Sequence, residues 1–104
     1  MVIEVNNAAL TKIIEENPLV LVDFYGTHCG PCKIFAPMYE GMSEEIAEAV
    51  FVKVNVDEEP GLATQFGVMG VPTVIAVKGG EVIASGTGIP KIMPIMNRLK
   101  EGAL

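Results

Sequence analysis

The stretch from Leu19 to Tyr25 is apolar except for Asp23, and it constrains the fold more than any other part of the chain. A run without polar alternation reads as a central strand buried on both faces, as in parallel sheets. Such a strand needs a covering layer on each side, and the flanking segments carry the periodicity of helices.

Val2, Ile3 and Val5 suggest a short first strand, and Asn6 or Asn7 can cap a helix in which Leu10, Ile13 and Ile14 share a face. Asn17-Pro18 stops that helix, because the residue before proline disfavours the helical region. Beyond the central run, Ile34, Phe35, Met38, Met42, Ile46 and Ala49 recur at helical spacing, with a kink expected at Pro37. Phe51 to Val56 alternates as a strand. Asp57-Glu58-Glu59-Pro60 opens a helix that Gly67 closes. Val71 to Val77 and Glu81 to Thr87 flank Gly79-Gly80, a two-residue hairpin signal. Ile92, Ile95, Met96 and Leu99 stripe a last helix, expected to become regular only from about Pro94. Met38, Met42, Met93 and Met96 are assigned to the core. The order favours an α/β fold with a mainly parallel central sheet, an antiparallel edge hairpin and helices on both faces.

At 104 residues, half of them hydrophobic, the chain suits a single domain spanning 1–104 that buries a core without metals or crosslinks. The net charge of -6 and the scattered Lys and Arg argue against nucleic acid as a partner. No basic n-region precedes an apolar run at the N-terminus, and no apolar stretch approaches the ~20 residues of a membrane helix. A cytoplasmic monomer without membrane contact is the default expectation.

The two cysteines, Cys29 and Cys32, enclose only Gly30 and Pro31. A bridge across so short a loop removes little entropy from the unfolded chain, so it is not a structural staple. The pair lies where the buried strand hands over to a helix, with Pro31 suited to a first helical position. There, unpaired N–H groups and the positive dipole end stabilise a thiolate, which makes the more N-terminal, exposed Cys29 the nucleophile. Cys32, one turn further in, is the resolving thiol. Gly30 and Pro31 form a small, rigid connector that keeps the pair near bonding geometry. Zinc would need four ligands, and His28 is the only histidine, so no metal is expected. Asp23 is the other exception to the pattern, since burying an unpaired carboxylate is costly unless its pKa rises, and a raised pKa suits a proton shuttle.

Val20-Leu21-Val22-Asp23-Phe24-Tyr25, Cys29-Gly30-Pro31-Cys32-Lys33, Gly70-Val71-Pro72-Thr73 and the Lys78-to-Glu81 hairpin together resemble the thioredoxin family over essentially the whole chain. The resemblance implies a dithiol carrier that reduces disulfides in target proteins and is re-reduced by a thioredoxin reductase, with no bound cofactor beyond the Cys29-Cys32 disulfide. By the same resemblance, Asp23 handles the proton of Cys32, Lys53 neighbours that acid, and Pro72 is a cis-proline beside the active site. Val71, Pro72, Met69 and Gly88 would then bind substrate, on an apolar rim shared with Gly30, Pro31, Gly86 and the Ile89-Pro90 turn.

The chain departs from the family where tryptophan is usual, with His28 before the first cysteine and Tyr25 at the strand end. His28 either tunes the Cys29 thiolate toward a more oxidising potential or is an exposed ring covering the turn. Met69 replaces a residue that is commonly polar. Two rival functions remain: a disulfide donor or isomerase, disfavoured by Gly-Pro between the cysteines, and a thioredoxin-fold binding module whose thiols are incidental.

Overall fold

Strand Leu19–Tyr25 lies at the centre of a five-stranded sheet, as its double-sided apolarity requires. The computed structural model describes residues 1–104, with β1 (Val2–Glu4), α1 (Asn7–Glu16), β2 (Leu19–Tyr25), α2 (Gly30–Glu45), β3 (Val50–Asn55), α3 (Pro60–Gln65), β4 (Thr73–Lys78), β5 (Glu81–Thr87) and α4 (Ile89–Lys100). The strand order is β1-β3-β2-β4-β5.

Alternation along β2 sorts its side chains between two cores. Val20, Val22 and Phe24 pack with Leu10 of α1, Leu62 of α3, Val52, Val54, Ile75 and Val77. Leu21 faces the other way, onto Phe35 and Tyr39 of α2, Ile92, Met96 and Leu99 of α4, Phe51 and Val74. Each such side chain, fully buried, stabilises the fold by about 1.5–3 kcal/mol. Asp23 shares the Leu21 side of the strand, so its carboxyl group points toward the layer containing α2 and α4.

The sheet is more evenly mixed than the sequence pattern suggests. β3 runs parallel to β1 and β2, whereas β4 pairs antiparallel with both β2 and β5. The hairpin is therefore not confined to the edge, because β4 sits directly against the central strand. Its turn demands glycine, with Gly79 at φ 59° and Gly80 at φ 85°.

Of the two candidate caps of α1 one is used, and several other local expectations change. α1 is capped by Asn6, whose side chain accepts from Ala9 N–H at 2.9 Å. α2 passes unbroken through Pro37 and ends at Glu45 rather than Ala49, since Ile46 is already extended. Its buried stripe is Phe35 and Tyr39, with the buried Ile46 just past its end; Ile34 (66% exposed) and Met38 lie off it, so Met38 is not a core residue. Met42 and Met93 are only half-buried. α4 is helical from Ile89 through Pro94, because Pro90 occupies the first turn and the burial of Ile92, Ile95, Met96 and Leu99 outweighs one missing hydrogen bond. β4 begins at Thr73, after a cis Val71–Pro72 peptide.

Candidate active site

Cys29 is the N-cap of α2, and its Sγ accepts a 3.1 Å hydrogen bond from Cys32 N–H. Gly30 and Pro31 fill the first turn, and their short span sets the Cys29 and Cys32 Cα atoms 5.2 Å apart, joined by a disulfide. The N-terminal turn directs free N–H groups and the positive dipole end at the Cys29 sulfur, which favours a thiolate when the bond is reduced. Cys29 is less open than its position in the sequence suggests, at 9% exposure against 5% for Cys32. The segment before the cis-proline covers it, with Cys29 Sγ 3.8 Å from Val71 O. Gly30, Pro31 and His28 remain exposed around the pair.

Pro72 has the cis bond that the family resemblance implies. Gly88 N–H donates to Pro72 O at 2.8 Å, and Thr73 Oγ1 donates to Gly70 O at 2.6 Å, so both sides of the bend are tied down. Gly88 holds φ 85°, a conformation costly for any other residue. Met69 is 98% exposed next to this bend. Gly86, by contrast, does not belong to the rim. It is buried under the start of α4, where a Cβ would meet Lys91 O at 2.6 Å.

Behind Cys32 lies a pocket of about 310 Å³ lined by Asp23, Tyr25, Cys32, Lys33, Lys53 and Asn55, among others. Asp23 is 5% exposed, and its Oδ1 has no hydrogen-bond partner. It is therefore not a strand-end residue reaching solvent. Burial pushes its pKa up from 3.8 to about 7, against the opposing pull of the Lys53 ammonium. Lys53 is half-buried, in register with Asp23 across β2 and β3, and lines the same pocket, so it is not an edge-of-sheet surface charge.

A clamp on the active-site turn escaped sequence reasoning. Thr27 N–H donates to Asp57 Oδ2 at 2.8 Å, Asn55 Nδ2 donates to Thr27 Oγ1 at 3.1 Å, and Asp57 N–H donates to Asn55 Oδ1 at 2.9 Å. The signal was the Asn55-Val56-Asp57 step where β3 ends opposite Tyr25. Tyr39 was missed as well. Buried in α2, it donates toward both Leu21 O and Val52 O at 2.9 Å and props the helix on the sheet.

No three His, Cys, Asp or Glu side chains come together where they would hold a metal ion. No helix is long and apolar enough to cross a membrane.

The chain matches the thioredoxin family profile over residues 1–101. It is 44% identical over 89 residues to a thioredoxin of Listeria monocytogenes, covering 85% of each chain. It is 39% identical over 85 residues to one of Chlorobaculum thiosulfatiphilum, covering 80% of this chain and 79% of that one. Among solved structures, a mutant thioredoxin from Halobacterium salinarum superposes with a TM-score of 0.88 at 30% identity, over 99% of this chain and 91% of that one. The oxidised thioredoxin of Plasmodium falciparum gives 0.86 at 32% identity, over 94% and 97%. With a bridged cysteine pair at the head of α2 and this likeness over nearly its whole length, the chain belongs to the thioredoxin family and is a thiol-disulfide oxidoreductase.

Proposed function

We propose that the protein reduces disulfides in other proteins and is itself re-reduced by a thioredoxin reductase, as a monomer in the cytoplasm. The Cys29 thiolate attacks one sulfur of the target disulfide, forming a mixed disulfide and releasing the other target sulfur as a thiolate, which takes up a proton. Cys32 then gives its proton to the Asp23 carboxylate, attacks Cys29 Sγ, and displaces the second target sulfur as a thiolate, which takes up a proton in turn from Asp23 or solvent. Two electrons pass to the target, and the Cys29-Cys32 disulfide remains to be reduced.

The observation that carries this reading is Asp23, a buried carboxyl group that shares a pocket with Cys32 and titrates near neutrality. A base is most useful when its pKa lies near the working pH. Lys53 acts as the neighbour that moderates this acid, while Gly30 and Pro31 set the spacing of the thiols. Val71, Pro72, Met69 and Gly88 present the docking edge for an extended target segment. Val71 N–H and C=O take no part in the protein's own backbone hydrogen bonds, which leaves them for a substrate strand.

Asp23→Asn tests the proton step. Release of target thiol from a preformed mixed disulfide should slow at pH 7 in the variant, and unchanged release would remove Asp23 from the mechanism. His28, exposed beside Cys29, is the one feature that favours a disulfide donor instead. An equilibrium potential near the about −270 mV of thioredoxins supports the reductant, whereas one near about −120 mV supports the donor.

A further inference from the structure

Glu4, Lys53 and Asp23 form one row across the sheet, with β1 setting Glu4 on one side of Lys53 and β2 setting Asp23 on the other. Neighbours in register point to the same face, so one ammonium stands between two carboxyl groups, Glu4 exposed and Asp23 buried. Coulomb attraction alone would draw it to Glu4, because burial penalises charge on Asp23. That pairing is not made. The ion pairs of the protein join the N-terminus to Glu40 and Glu44, and Lys100 to Glu45. Glu4 Oε2 instead accepts a 2.6 Å hydrogen bond from Tyr25 Oη, and Lys53 Nζ lies 5.7 Å from the centroid of the same Tyr25 ring.

A single side chain thus occupies both Glu4 and Lys53, one through its hydroxyl and the other through its ring face. We propose that Tyr25 is a positioning residue for the Asp23 site: the phenol holds the Glu4 carboxylate away from Lys53, the ring seats Lys53, and the ammonium is left to Asp23 without a competing partner. This rests on the reading of Asp23 as the proton-handling group. Tyr25 also stands at a departure from the family's usual tryptophan, so the arrangement is tied to this chain's own residues. The other ionisable groups around Asp23 are Cys32, Lys33 and Tyr39 of α2, while β4 sets the apolar Val74 opposite it.

The test is the carboxyl ¹³C shift of Asp23 followed against pH in the oxidised protein, where neither cysteine titrates. Tyr25→Phe keeps the ring but releases Glu4 to pair with Lys53, which brings a second negative charge toward Asp23. The Asp23 midpoint should rise by about half a pH unit. In Tyr25→Phe/Glu4→Gln the rise should vanish, and in Glu4→Gln alone the midpoint should fall. No rise in Tyr25→Phe, an equal rise in the double variant, or a rise in Glu4→Gln overturns the proposal. The titration reads Asp23 directly, so its outcome is separate from whether Asp23→Asn slows turnover.

Discussion

Asp23 and Lys53 lie in register on adjacent parallel strands and line one pocket, yet no ion pair joins them, and Asp23 Oδ1 accepts no hydrogen bond from the protein. A carboxyl group left in this condition holds its proton far above the usual carboxylate range, so near pH 7 it is divided between acid and carboxylate. Burial is the dominant cause, and Lys53 offsets part of it.

The consequence for stability has a definite sign. The folded protein keeps the Asp23 proton up to about pH 7, whereas the unfolded chain releases it near 3.8. Between those values the unfolded state binds fewer protons, so stability falls as pH rises. The contribution is complete below the unfolded value and is lost by the time pH passes the folded one. A gap of about three pH units corresponds to about 4 kcal/mol. Asp23→Asn should match the parent in denaturant unfolding near pH 4 and exceed it by roughly that amount at pH 8. Parallel pH profiles for the two proteins would contradict the assignment.

Asp23 was legible in the sequence because a lone carboxylate in an apolar strand is a physical contradiction that must be resolved by protonation or pairing. The cysteine turn was legible for a similar reason, since Gly30 and Pro31 between two thiols fit the first turn of a helix. Helix phase was harder to read. In α2 the stripes through Ile34 and Met38 and through Phe35 and Tyr39 have the same spacing, and only packing against Leu21 and Phe51 selects the second. The placement of β4 against β2 depends on pairing between distant segments, which local periodicity does not encode. The Thr27 clamp and the Glu4–Tyr25 contact escaped for the same reason, each joining residues far apart in sequence.

The two thiols should separate cleanly in their phenotypes. Cys29→Ser removes the nucleophile and should abolish disulfide reduction. Cys32→Ser leaves attack intact but removes resolution, so the protein should accumulate as a mixed disulfide with its target. Mass spectrometry after alkylation reads both outcomes. Trapping by Cys29→Ser rather than Cys32→Ser would reverse the roles.

Two glycines should respond oppositely to alanine. At Gly86 a Cβ would sit 2.6 Å from Lys91 O and 2.9 Å from Lys91 C, both backbone atoms that move only with α4. Gly86→Ala should cost about 1–3 kcal/mol of stability, the usual range for overpacking. At Gly30 the added carbon meets nothing within 4 Å apart from its chain neighbours and the backbone of its own helix, and the residue is helical, where alanine is favoured. Gly30→Ala should leave the denaturation midpoint unchanged or slightly raised. A tolerated Gly86→Ala would mean that α4 does not pack on β5 in solution as described.

The clamp on Thr27 should govern how firmly the turn before Cys29 is held. Asp57 accepts from Thr27 N–H and, through its own N–H, fixes Asn55, which in turn holds the Thr27 hydroxyl. Asp57→Ala removes the only acceptor that Thr27 N–H has, and because Thr27 is exposed, water replaces it. The global cost should therefore be modest, about 1 kcal/mol. The local effect should be larger: amide exchange at Thr27 should accelerate well beyond what that loss of stability accounts for, while exchange in β2 follows global unfolding. Exchange at Thr27 that changes only in step with β2 would show that the turn is held by the strand and helix on either side and not by Asp57.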